Sequence, residues 1–85
     1  MHVTVISPEK AIFDGDGASV TAPAYDGLVG ILPGHAPFLT LLGDGTLTVR
    51  DTGETRAFRV QGGFLQVVDD TVRVVTEHAT EEGEE

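Results

Sequence analysis

The chain reads as an all-β protein, a flattened antiparallel β-sandwich of about eight to ten short strands. Three observations carry that reading. Turn residues recur at short intervals, in "SPE", "DGDG", "PAYDG", "PGHAP", "GDG", "DTGE", "GG" and "DD". Between them apolar and polar residues alternate at period two. No window from Met1 to Thr76 forms a well-capped helix, and β-branched residues are frequent throughout.

The elements follow in order. His2–Ile6 places Val3 and Val5 on one face of a first strand, and "SPE" and "DGDG" read as turns after it. Ala18, Val20 and Ala22 then alternate with Ser19 and Thr21. Leu28–Leu32 is a short apolar strand and Phe38–Leu42 is the next. Between them "PGHAP" forms a rigid corner, with Pro presetting φ and Gly34 allowing φ > 0. Leu47 and Val49 alternate with Thr46, Thr48 and Arg50, and "DTGE" is a hairpin turn into Phe58 and Val60. Gly62 and Gly63 permit a bulge or close packing, Asp69-Asp70 marks a turn, and Val72 and Val74 flank Arg73. Each alternating strand has one face on a core and one in water. The continuous apolar runs on either side of the corner need cover on both faces, which so small a domain supplies only with a partner.

Length and charge bound the function. Eighty-five residues make one domain, burying only about 60–65% of the surface of the unfolded chain. Residues 1–79 read as the sandwich and residues 80–85 as an acidic, solvated tail. With no cysteine, disulfides and thiolate metal sites are excluded. No secretory signal is visible at the N-terminus, so the default address is cytosolic. The net charge is −9, and Lys10, Arg50, Arg56, Arg59 and Arg73 form no block, which argues against a nucleic-acid partner. Gly27 to Gly43 carries no formal charge over 17 residues. That run is shorter than the roughly 20 residues a membrane helix needs, and Pro33 and Pro37 would break it.

No catalytic constellation emerges. His2, His35 and His78 lack metal-ligand spacing. Asp14, Asp16 and Gly17 begin like a calcium loop but lack its remaining ligands, and Asx-turn chemistry accounts for them better. Gly27, Gly30 and Gly34 have neither the spacing nor the helix of a dinucleotide fingerprint. Ser7 precedes a proline and Ser19 lies in an alternating strand, so neither sits on a nucleophile elbow. A hydrolase using His35 with a nearby Asp would need a second catalytic group, and none is visible. The expectation is a protein with no catalytic, cofactor-binding or metal-binding residues.

The unusual turns carry a family resemblance. "VISPEKAIFDGDGASVTAPAYDGLVGILPGHAPFLTLLGDGTLTVR" and the later "VQGGFLQVVDDTVRVVTEHA" resemble the N-terminal domain of the epsilon subunit of F-type ATP synthase, from about Val3 to Ala79. "SPE", "GILPGHAP", "GGFLQV" and "VRVVTEHA" in this order are its most diagnostic pieces. The resemblance implies a central-stalk rotor subunit that joins the gamma subunit to the c-ring. It couples ion-driven rotation to ATP synthesis in the alpha–beta hexamer and contributes no catalytic residue. It also implies a peripheral place on the cytoplasmic side of the bacterial cell membrane, with contact to the membrane only indirect.

Carried over residue by residue, Asp26 and Gly27 match the acidic-glycine turn used near the c-ring. Gly30, Ile31, Pro33, Gly34, His35, Ala36 and Pro37 match the glycine-to-proline corner. Leu28 departs from the pattern, since many bacterial members carry a carboxylate there. The partner-contact candidates are therefore Asp26, Gly27, Leu28, Gly30, Pro33, Gly34 and His35, with His35 readable either as a structural corner or as a direct contact. Family members ordinarily continue into two C-terminal helices that can inhibit ATP hydrolysis. The expectation for this chain is coupling and assembly without that inhibition. The alternative is a free-standing β-sandwich binding module with another protein partner.

Overall fold

A computed structural model describes residues 1–82. It contains ten strands and, among the described residues, no helix. They are β1 (His2–Ile6), β2 (Ala11–Asp16), β3 (Ser19–Ala24), β4 (Gly27–Ile31), β5 (Phe38–Leu41), β6 (Gly45–Asp51), β7 (Glu54–Gln61), β8 (Phe64–Val68), β9 (Thr71–Val75) and β10 (His78–Glu81). Two five-stranded sheets stack, in the orders β2-β1-β9-β8-β5 and β10-β7-β6-β3-β4. The expected sandwich is therefore present.

Alternation builds the core. Val3, Val5, Leu65, Val67, Val72 and Val74 from the first sheet meet Val20, Ile31, Leu47, Val49, Phe58 and Val60 from the second, all at most 2% exposed. Burying one such side chain contributes about 1.5–3 kcal/mol. The two buried polar side chains among the described residues do not oppose this. Thr76 places its hydroxyl 3.0 Å from the Gln61 carbonyl, and Ser7 Oγ lies 3.2 Å from the Lys10 carbonyl.

The turns follow the residues that make them. Ser7 and Lys10 exchange backbone hydrogen bonds of 2.9 and 3.2 Å, closing the "SPEK" hairpin. Asp69 and Asp70 both take positive φ, 51° and 61°, in the two-residue turn between β8 and β9, the conformation that matches the strand twist. Gly63 has a separate reason. A Cβ there would lie 1.9 Å from the Val75 carbonyl oxygen, so the close approach of β8 to β9 admits only glycine.

Several details differ from the sequence reading. β1 pairs with β9 in parallel, not antiparallel; alternation looks the same in both pairings, so the pattern cannot distinguish them. "DGDG" is not a turn, because Asp14, Gly15 and Asp16 run inside edge strand β2 opposite Thr4, Val3 and His2. Pro23 and Ala24 belong to β3 and not to a turn. Pairing of β3 with β6 ends at Thr21, two residues before Pro23, which has no N–H to donate. β4 ends at Ile31, leaving Leu32 to start the corner. Of the tail expected over residues 80–85, Thr80 and Glu81 pair with Arg59 and Phe58 as part of β10, and residues 83–85 lie outside the described residues.

Candidate partner-binding site

β4 and β5 are the edge strands of opposite sheets on one flank of the sandwich. The chain passes directly from one to the other through the Pro33–Pro37 corner. At one end the flank is tied by the Ala24–Leu42 bridge and by Tyr25 N–H donating to the Leu41 carbonyl at 3.0 Å. Between the two strands lies an open groove of about 1070 Å³. Its walls include Tyr25, Leu28, Leu39, Leu41 and Phe64, and among the described residues Asp26 is the one charged residue that lines it.

Strand register explains the exposed apolar side chains. Leu41 sits opposite Phe64 and Leu39 opposite Gln66, so the outward rows of β5 and β8 coincide. The alternate residue Phe38 packs against the core. An apolar run at an edge thus has one row buried and the other in water. Leu28 is 75% exposed, Tyr25 69%, Leu39 66% and Leu41 63%. Scattered exposed leucines are ordinary, but a contiguous apolar groove marks an interaction surface.

The seven residues singled out in the sequence divide into two groups. Asp26, Gly27 and Leu28 line the groove at the β3–β4 turn. Pro33, Gly34 and His35 lie beyond the other end of β4, a strand span of roughly 13 Å. Gly30 faces open space, with no atom within 4 Å of where a Cβ would stand. The corner is a β-turn in which His35 N–H donates to the Leu32 carbonyl at 3.1 Å. Gly34 has φ 84°, the type II geometry that Pro-Gly favours. Gly34 N–H donates to Asp70 Oδ1 at 3.0 Å. The His35 ring meets Phe38 edge-on at 5.5 Å, and its Nδ1 lies 2.7 Å from the Ala36 carbonyl oxygen. Among the described residues no carboxylate lies within ion-pair distance of His35, and no group of three or more acidic or histidine side chains could hold a metal.

Sequence reasoning marked the Phe38–Leu42 run as needing cover by a partner, but did not single out Leu39 and Leu41 in it, nor Phe64 or Tyr25. The signal was present in "FLTLL", where apolar residues occupy both alternations of one strand. That pattern is satisfied only by a strand covered on both faces, and this chain covers one.

A two-sheet sandwich with one exposed apolar flank has the form of a β-sandwich docking domain. A family model described as ATP synthase, delta/epsilon chain, beta-sandwich domain matches residues 1–82, and the chain belongs to that family. An ATP synthase epsilon chain of Leptospira borgpetersenii is 42% identical over 78 residues, which cover 92% of this chain and 61% of that one. The epsilon chain of Caulobacter vibrioides is 40% identical over 81 residues, covering 95% and 94%. Among solved structures, a chain of the Euglena gracilis mitochondrial ATP synthase superposes with a TM-score of 0.86 at 27% identity, covering 93% of this chain and 51% of that one. A chain of the Tetrahymena thermophila mitochondrial ATP synthase central stalk and c-ring gives 0.81 at 26% identity, covering 94% and 65%. The chain thus spans about three fifths of the Leptospira relative and half of the Euglena chain.

Proposed function

We propose that this domain is the rotor-stalk module of an F-type ATP synthase. It joins the gamma subunit to the c-ring, so that ion-driven rotation of the ring reaches the alpha–beta hexamer. The exposed apolar row of Leu39, Leu41 and Phe64 carries the reading, because it is the surface that a permanent partner would cover. In this assignment gamma takes the β5 and β8 side of the groove and the His35 corner. The Asp26–Leu28 turn meets the polar loops of the ring. Leu28 stands where a carboxylate could pair with those loops, so the contact there is apolar and Asp26 supplies the charge. The module acts by rigid docking, needs no cofactor, and takes no part in the chemistry of ATP. Its place is on the cytoplasmic face of the membrane, held there through the complex. These residues serve coupling and assembly, not restraint of ATP hydrolysis.

The test is native mass spectrometry of the chain with a gamma-containing catalytic complex from which epsilon has been removed. One copy bound per complex, lost when gamma is omitted, supports the assignment. No bound copy, while the chain remains folded by circular dichroism, sinks it.

A further inference from the structure

We propose that Asp70 is a positioning residue that fixes the orientation of the Pro33–Gly34 peptide and so presents the corner in one conformation. Types I and II of a β-turn differ by a flip of the central peptide plane. For Leu32-Pro33-Gly34-His35 that plane is the Pro33–Gly34 peptide, and φ 84° at Gly34 identifies the type II orientation. Such a turn uses the N–H of its fourth residue, here His35, and leaves the third without a partner in the turn. Asp70, from the β8–β9 turn of the sheet that contains β5, accepts that remaining N–H at 3.0 Å. In the flipped form Gly34 N–H would face away and lose the carboxylate, so the charged acceptor favours one peptide orientation.

Asp70 is itself well anchored. Its carbonyl accepts His2 N–H at 3.1 Å, and its second carboxylate oxygen lies 3.9 Å from the Met1 amino group. From the corner the constraint continues through the His35 ring to Phe38, which forms part of the groove wall. One carboxylate on the first sheet thereby sets the link between the edge strands of both sheets. The consequence for docking rests on the rotor-stalk reading; the clamp itself does not.

Two variants of the full chain separate the roles. Asp70→Gly removes the carboxylate while suiting the residue's φ of 61°, so the fold survives. Asp70→Asn keeps an acceptor oxygen. The expected result is that Gly34 amide exchange, followed by NMR, speeds up about tenfold in Asp70→Gly and changes little in Asp70→Asn. Affinity for the gamma-containing complex should fall in the first variant and hold in the second. Unchanged Gly34 exchange in Asp70→Gly would overturn the clamp. Faster exchange with undiminished affinity would overturn its role in docking, and His35→Ala then distinguishes the causes. If His35→Ala weakens binding, the corner still contacts the partner and Asp70 alone is wrongly assigned. If His35→Ala also binds normally, the corner is not part of the interface.

Discussion

The two flanks of the sandwich pose the same problem, two unpaired strand edges from opposite sheets, and the chain treats them in opposite ways. Where β2 meets β10, the chain's own side chains bridge most of the gap and leave a small opening of about 250 Å³. Phe13 packs on Phe58 at 5.6 Å between ring centroids, and the Arg56 guanidinium lies 5.1 Å above Phe13. The same guanidinium reaches across to Glu81 of β10 through two hydrogen bonds, at 2.6 and 3.0 Å. Where β4 meets β5, the ends are tied but the middle is left open and apolar. Edges exposed to water are normally protected by charges or covered. The difference teaches that the first flank is covered from within the chain, whereas the second is left uncovered by it.

The largest expected effect breaks the closed flank. Phe58→Ala removes a fully buried ring and the aromatic contact with Phe13. It should cost about 3–5 kcal/mol of unfolding free energy, read as a reduced urea midpoint. A loss below about 1 kcal/mol would mean that the flank closes without its core ring. The corresponding change on the open flank should reverse the pattern of effects. Leu41→Asp places a charge where the native side chain is already 63% exposed. Stability should therefore hold to within about 0.5 kcal/mol, while binding to the gamma-containing complex weakens by about 2 kcal/mol or more. If Leu41→Asp lowers stability by several kcal/mol yet the folded fraction binds with undiminished affinity, the two flanks have been assigned the wrong way round.

This contrast was only half legible in the sequence. Alternation at Val3/Val5, Leu47/Val49 and Val72/Val74 located the core, because a period-two pattern on a half-buried strand has one solution. The "PGHAP" corner was legible for a stronger reason, since Pro and Gly fix the backbone locally and need no tertiary context. By contrast, "DGDG" looked like a turn because its composition is that of turns, yet an edge strand can carry acids on its water face. The groove and the clamp depend on pairs remote in sequence. Leu41 faces Phe64 and Gly34 faces Asp70, and neither register can be read from one strand alone.

The smallest effect tests how much of the closed flank is electrostatic. The hydrogen bonds from Arg56 hold the Glu81 carboxyl below the usual carboxylate range, against an opposing effect of burial. The same hydrogen bonds raise Arg56, which stays charged throughout. Only Glu81 therefore titrates. Because its folded value is depressed, the pair's contribution is complete above the ordinary carboxylate range and is lost as pH falls through the lowered folded value. Both side chains are about 40% exposed, so solvent screening limits the contribution to less than about 1 kcal/mol. Glu81→Gln removes the charge but leaves Arg56 over Phe13. The stability gap between the native chain and this variant should be small at pH 7, shrink in high salt, and vanish in acid. A gap that persisted at low pH could not arise from the ion pair, and would assign the role of Glu81 to the packing of β10. A gap well above about 1 kcal/mol would instead show that Arg56–Glu81 holds edge strand β10 against β7 more strongly than a screened surface pair should.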